Sequence, residues 1–267
     1  LEYTPMQHVS IIKIGGNIID DKEATTRFLL KFSQVPGYKL LIHGGGKIAT
    51  QIAERLGLKA QMVDGRRITD QSMLEVVTMV YGGLVNKQLV AGLQAKGCNA
   101  IGLTGADGNS VLAQKREVAT IDYGFAGDIV AVNAQQISSL LEQQLTPVFA
   151  PLTYDTTGSM LNTNADTMAA TIAWSLASRY NVHLIYCFEK KGVLSDPDND
   201  NSVIPALTLP MYEQLKQQGI ISKGMIPKLD NAYTALRKGV QRIIICHADE
   251  LQTVVSTSTV SGTTLSL

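Results

Sequence analysis

Short, continuous apolar runs alternate along this chain with segments of helical periodicity, and that alternation narrows the fold more than any other feature. The runs cover 9–14, 39–42, 99–103, 128–132, 147–150, 182–188 and 242–246. Runs this short and this apolar suit strands buried on both faces. Helical patterns between them predict a mostly parallel central sheet covered on both sides, a three-layer αβα sandwich of the α/β class. Ile48, Ile52 and Leu56 recur every four residues within 47–56, and Met73, Val76, Val77, Val80 and Leu84 follow the 3.6-residue period within 70–96. Gly82 and Gly83 interrupt that second helix at about 1 kcal/mol each relative to alanine, which predicts close packing against a neighbour.

Asn164 is placed to cap a further helix, with Asp166 in its first turn and Met168, Ile172 and Leu176 facing inward. Another helix starts near Pro227, with Leu229, Tyr233 and Leu236 on its inner stripe. Segment 59–69 reads as a hairpin with Asp64-Gly65 at its tip, and 154–161 as a second. The acids of 195–205 lie in a polar loop that lacks the glycine and closing glutamate of a calcium hand. A boundary near 178–181 divides the chain into an N-terminal lobe, 1–178, and a C-terminal lobe, 179–267.

Composition removes several function classes. The 23 basic and 23 acidic residues cancel, so the chain lacks the electrostatic footprint of a nucleic-acid binder. Any anion it holds must be met by local groups. Cys98, Cys187 and Cys246 are too few and too dispersed for a disulfide framework or a metal pair, and His8, His43, His183 and His247 are too scattered for zinc. No secretory leader or membrane span is visible, so a cytoplasmic protein with small-molecule partners is expected.

Against that background, Lys13 stands out. It lies within Val9-Ser10-Ile11-Ile12-Lys13-Ile14, directly before Gly15-Gly16. An unpartnered buried ammonium costs several kcal/mol. Either the side chain snorkels into water, or it and the bare amides beside it hold an anion. A second glycine cluster, His43-Gly44-Gly45-Gly46, follows the strand 39–42 and precedes a helix. It matches neither a P-loop nor a dinucleotide fingerprint, since Ile48 stands where a P-loop has Ser or Thr. Two glycine loops that each close a parallel strand open onto the same crevice.

Lys228 falls in the first turn of a helix, where the dipole disfavours a cation unless both serve one anion. The alternative is a surface lysine tolerated at a few tenths of a kcal/mol. Asn162 and Asp166 remain after Asn164 is assigned to capping, and an aspartate between two lysines would hold both charged and aimed. Arg67 on the hairpin flank suits a bidentate clamp for a carboxylate, although the residue alone reads more readily as an exposed hairpin charge.

Ile-Ile-Lys-Ile-Gly-Gly, Ile-His-Gly-Gly-Gly, Gly-Arg-Arg-Ile-Thr, Leu-Asn-Thr-Asn-Ala-Asp and Gly-Met-Ile-Pro-Lys occur here in the order and spacing of the amino acid kinase family. From Ile11 to His247 the chain resembles that family, and most of all its N-acetylglutamate kinase branch. The resemblance implies an N-terminal lobe for an acylated amino acid, a C-terminal lobe for ATP, and phosphorylation of the γ-carboxylate of an N-acylated glutamate in arginine biosynthesis. Acetyl is the family default, and succinyl or another acyl chain fits if the pocket near the hairpin is wider. By the same resemblance, Lys13 stabilises the transferring phosphoryl group, Lys228 neutralises the leaving phosphate and Asp166 orients both. Gly15, Gly16, Gly44 and Gly45 form the phosphate cradle, and Gly45, Arg67, Asn162 and Asn164 hold the substrate. Mg²⁺ is expected to travel with ATP, bound mainly by phosphates and water.

A carboxylate nucleophile, with a reference pKa of about 4.3, is already ionised at neutral pH. No general base is therefore required, unlike kinases that act on hydroxyls. Other readings are a kinase for free glutamate, aspartate or carbamate, or a non-catalytic amino-acid sensor on the same scaffold. The chain departs from the family at Phe188-Glu189-Lys190-Lys191-Gly192, where small residues and an aspartate are usual. Only twelve residues precede Lys13, which leads to the expectation of a homodimer insensitive to arginine, with the 70–96 helix at its interface.

Overall fold

The computed structural model describes residues 6–63, 66–221, 224–256 and 261–267. Among these residues the central sheet has eight strands. Four of them position the site: β1 (His8–Ile14), β2 (Tyr38–Ile42), β3 (Asn181–Phe188) and β4 (Arg242–His247). Across the sheet the order is Ala206–Thr208, Thr263–Ser266, β4, β3, β1, β2, Thr146–Phe149 and Ala100–Leu103. All neighbours pair in parallel except β4 with Thr263–Ser266, which run antiparallel. β1 sits between β2 and β3, so the chain leaves it in one direction early and returns on its other side late. Such a reversal of strand order opens a crevice at the carboxyl ends of the strands.

Period-two alternation along β1 divides the core. Val9 and Ile11 join one apolar cluster and Ile12 and Ile14 the other. The first cluster is closed by α3 (Ala165–Leu176) and α4 (Ile226–Arg237), through Met168, Ile172, Leu229 and Tyr233. The second contains Phe28 and Phe32 of Lys22–Ser33, Ala49 and Ala53 of α2 (Gly46–Arg55), and Met73, Val77 and Leu89. A short helix, α1 (Gly16–Asp20), follows β1 directly. The αβα sandwich expected from the sequence is thus present.

Several local features differ from expectation. The strand expected at 128–132 forms, as Gly127–Val132, but outside the central sheet. It pairs antiparallel with Val111–Lys115 in a separate four-stranded sheet. Its half-exposed burial pattern is that of a sheet edge, not of a strand covered on both faces. The hairpin expected at 154–161 belongs to the same sheet, as Leu152–Tyr154 and Met160–Asn162. The flanks of the earlier hairpin pair antiparallel as Gln61–Val63 and Arg66–Ile68, while its expected tip, Asp64-Gly65, lies outside the described residues. The 70–96 helix is α-helical over Gln71–Val77 and Asn86–Gln94 but π-helical over Thr78–Val85. A Cβ on Gly82 would lie 3.3 Å from Leu152 Cδ1, the close neighbour its glycine implied, whereas Gly83 has nothing near. Among the described residues Gln71–Gln94 is the one helix long and apolar enough to cross a membrane by length and composition. Val76, Val77, Val85, Leu89 and Leu93 are buried within the fold.

Candidate active site

Odd-numbered residues of β1 face α3 and α4, and Lys13 is the last of them before Gly15. It pairs in register with Tyr186 on one side and Ile42 on the other. Its apolar neighbours hold the stem in the sheet, and its Nζ reaches Asp166 Oδ1 at 2.8 Å. Asp166 lies in the first turn of α3, where Asn164 caps the helix by accepting from Thr167 N at 2.9 Å. The helix dipole favours a carboxylate at this end. From the first turn of α4, Lys228 Nζ reaches the same Oδ1 at 2.9 Å. Both lysines are nearly buried, so neither is a solvated surface charge.

The electrostatics follow from this triangle. Burial alone would raise the pKa of Asp166, but Lys13 and Lys228 outweigh it and hold the carboxyl well below the usual carboxylate range. Burial lowers Lys228 to about 8, opposed by Asp166 and reinforced by Lys13. The Lys228 ammonium also lies over the rings of Tyr186, 4.7 Å from the centroid, and Phe188, 5.8 Å away. These cation–π contacts stabilise the charge without occupying an N–H donor. Two cations against one anion leave an uncompensated positive charge in a largely buried cleft.

The glycine loops meet beside it. A Cβ on Gly44 would lie 3.9 Å from Gly16 N and Cα, so the two loops abut. Gly45 has φ +145° and caps α2, and a Cβ there would approach Tyr81 Cδ1 to 3.2 Å. Only glycine suits that backbone. The loop is shaped by His43, whose pKa burial lowers to about 4 and which is therefore neutral at pH 7. His43 Nδ1 donates to Gly44 O at 2.7 Å, while Nε2 accepts from Asn86 Nδ2 at 3.1 Å. Gly15 departs from its expected role. Its N–H donates to Cys187 O at 2.8 Å, extending the β1–β3 ladder, so this amide is not available to a phosphate. Gly16, Gly44 and Gly45 remain where the two loops abut.

A cavity of about 220 Å³ opens beside the cradle, lined among others by Gly45, Arg67, Tyr81, Asn162 and Asn164. Arg67 is buried. Its Nη2 donates to Gly46 O and Thr50 Oγ1, both at 2.8 Å, and no carboxylate among the described residues pairs with it. A buried guanidinium without a protein anion is a place for a ligand's carboxylate. Asn162 Nδ2 donates to Thr69 Oγ1 at 3.0 Å, which ties the hairpin to the strand before α3. Asn164 uses its side-chain oxygen as helix cap while lining the cavity. Two residues of this region escaped the sequence reading. Tyr81 is carried against Gly45 by the π-helical turns, a distortion no apolar pattern reveals. Asn86, buried within an apolar helix, was the visible signal for the His43 contact.

The departure at 188–192 lies at the end of β3 and is anchored to its surroundings. Glu189 Oε1 accepts from Asn17 Nδ2 at 2.8 Å, Lys190 pairs with Asp200 at 2.7 Å, and Lys191 Nζ donates to Asn201 Oδ1 at 3.4 Å. The two lysines fasten the 195–205 loop to the strand end. A second cavity, of about 200 Å³, lies here between Phe188, Val193, Ile221 and Met225.

A profile of the amino acid kinase family matches residues 9–247. The chain is 54% identical over 261 residues to the acetylglutamate kinase of Cytophaga hutchinsonii, covering 97% of this chain and 99% of that one. Among solved structures it is similar to a Streptococcus mutans protein, at 26% identity and TM-score 0.76, over 97% of this chain and 98% of the other. It shares the fold of Neisseria gonorrhoeae N-acetylglutamate synthase, at 20% identity and TM-score 0.84, over 97% of this chain and 59% of that one. A family match of this extent, together with identity above one half to a relative of the same length, establishes that this protein belongs to the amino acid kinase family.

Proposed function

We propose that the protein transfers the γ-phosphoryl group of ATP to the γ-carboxylate of an N-acylated glutamate, as a step of arginine biosynthesis in the cytoplasm. The observation that carries this reading is the buried Lys13–Asp166–Lys228 triangle beside a cavity that holds an anion-free Arg67. The names of the similar kinases support it. Arg67 and Asn162 hold the substrate so that its γ-carboxylate faces the cradle. A carboxylate oxygen attacks the γ-phosphorus, the bond from that phosphorus to the β,γ-bridging oxygen breaks, and ADP departs with the electron pair. No proton moves. Lys13 meets charge on the transferring phosphoryl group, Lys228 meets it on the leaving phosphate, and Asp166 keeps both ammoniums aimed. The amides of Gly16, Gly44 and Gly45 complete the cradle.

The C-terminal lobe, 179–267, binds the nucleotide near Phe188 and Met225, and the N-terminal lobe, 1–178, binds the acylglutamate. Among the described residues no three His, Cys, Asp or Glu side chains converge, and Asp166 is committed to the lysines. This donor set suits Mg²⁺ carried by the nucleotide, whose charge would add to that of the lysines. A homodimer fits the exposed Met79 and Leu84 on the Gln71–Gln94 helix. The test is ADP release together with hydroxylamine trapping of the acyl phosphate, using N-acetylglutamate, N-succinylglutamate, glutamate, aspartate and carbamate. Hydroxamate formed from an N-acylated glutamate in step with ADP is the expected result. Turnover confined to an unacylated acceptor, or none at all, would reject the reading.

A further inference from the structure

The cavity beside Arg67 carries more positive charge than an N-acetylglutamate can use. Three arginines line it, Arg66, Arg67 and Arg116, and among the described residues no aspartate or glutamate does. On the reading above, the γ-carboxylate of the substrate faces the lysines and the α-carboxylate is left for Arg67. An acetyl methyl group has no use for the other two guanidiniums. We infer that the acyl subsite takes a dicarboxylic acyl group, with succinyl as the case to test, and that Arg66 and Arg116 meet its terminal carboxylate. The inference rests on the kinase reading and specifies its substrate.

The two arginines are prepared differently. Arg116 is fixed. Its Nε donates to both oxygens of Asp128 at 3.1 Å, its Nη2 donates to Oδ1, and its guanidinium lies 5.6 Å from the centroid of Tyr123. Nη1 has no partner among the described residues, although Arg116 and Tyr123 both line the cavity. A guanidinium held by one edge and braced on a ring presents its remaining donors at little entropic cost. Asp128 belongs to the strand paired with Val111–Lys115, which Arg116 directly follows, in the register Gln114 to Asp128, and its side chain is 44% exposed, so it offsets the cation only partly. Arg66 is exposed at the hairpin and has no ion-pair partner among the described residues. Three like charges around one cavity repel, and a third ligand carboxylate relieves that repulsion.

The test compares kcat/KM for N-acetylglutamate, N-succinylglutamate and the neutral isostere N-succinamoylglutamate, in the wild type and in Arg66→Ala and Arg116→Lys. A charge-assisted contact of this kind should favour succinyl over both other substrates by roughly ten- to a hundredfold. At least one of the two variants should move that ratio toward one. Equal or better use of acetylglutamate, equal use of the amide, or a ratio unchanged in both variants overturns the inference and leaves the kinase reading standing. Turnover of none of the three overturns both.

Discussion

Lys13 and Lys228, from opposite ends of the chain, reach one oxygen of Asp166 at 2.8 and 2.9 Å. The sheet places the first and a helix N-terminus the second, and a single carboxylate pairs with two nearly buried lysines. Asp166→Asn removes the only negative charge from that triangle. Breaking a buried pair in this way costs roughly 3–5 kcal/mol, and urea denaturation at pH 7 should register a loss of that order. The carboxyl is held below its ordinary value, so its contribution is present above the unfolded pKa of about 3.9 and is lost as pH falls through the folded value. The stability gap between wild type and variant should therefore narrow below about pH 4. A gap that stays constant from pH 7 to pH 3 would speak against the triangle.

Lys228 should make activity sensitive to alkali. With its pKa lowered to about 8, the free enzyme loses this cation as pH rises through that value. Because kcat/KM reports the free enzyme, it should fall above about pH 8. Bound phosphates raise the lysine's pKa, so the limb for kcat should lie at higher pH. A kcat/KM profile that is flat to pH 9.5 would contradict the assignment.

Arg67 is expected to act on the acceptor. Arg67→Ala should raise KM for the acylglutamate roughly ten- to a hundredfold, with a much smaller change in KM for ATP. Arg67→Lys keeps the charge but loses the paired contacts to Gly46 O and Thr50, so it should recover only part of the loss. An effect confined to ATP would reverse the role given to this residue.

Gly45→Ala tests the cradle. At φ +145°, with Tyr81 3.2 Å from the new methyl group, the substitution should cost roughly 1–3 kcal/mol of stability. It should also weaken both substrates, because it shifts the amides beside the cavity. A thermal melt and steady-state kinetics unchanged from wild type would show that the strain is not real.

Much of this arrangement is legible in the sequence because it depends on adjacency. Lys13 beside Gly15-Gly16, the glycine triplet after β2, and Asp166 just inside a capped helix are local patterns, and parallel topology then gathers their ends. What the sequence hides is set by tertiary context. The N–H of Gly15 is consumed by Cys187, a partner fixed only by the β1–β3 register. Tyr81 reaches the cradle through π-helical turns that the 3.6-residue period does not announce. Thr263–Ser266 is too short and too polar to read as a strand, yet Leu265 buries its side chain against the core. The lysines of 188–192 stand in the sequence only as a departure from the family pattern, and the structure alone shows that they hold Asp200 and Asn201.

Lys13→Ala, assayed for hydroxylamine-trapped acyl phosphate beside a thermal melt, asks whether the Lys13 ammonium drives phosphoryl transfer. The variant is expected to keep its fold and to lose roughly two to three orders of magnitude in kcat, the cost of removing one preorganised charge from the transferring group. A folded Lys13→Ala enzyme that turns over at the wild-type rate would contradict the account.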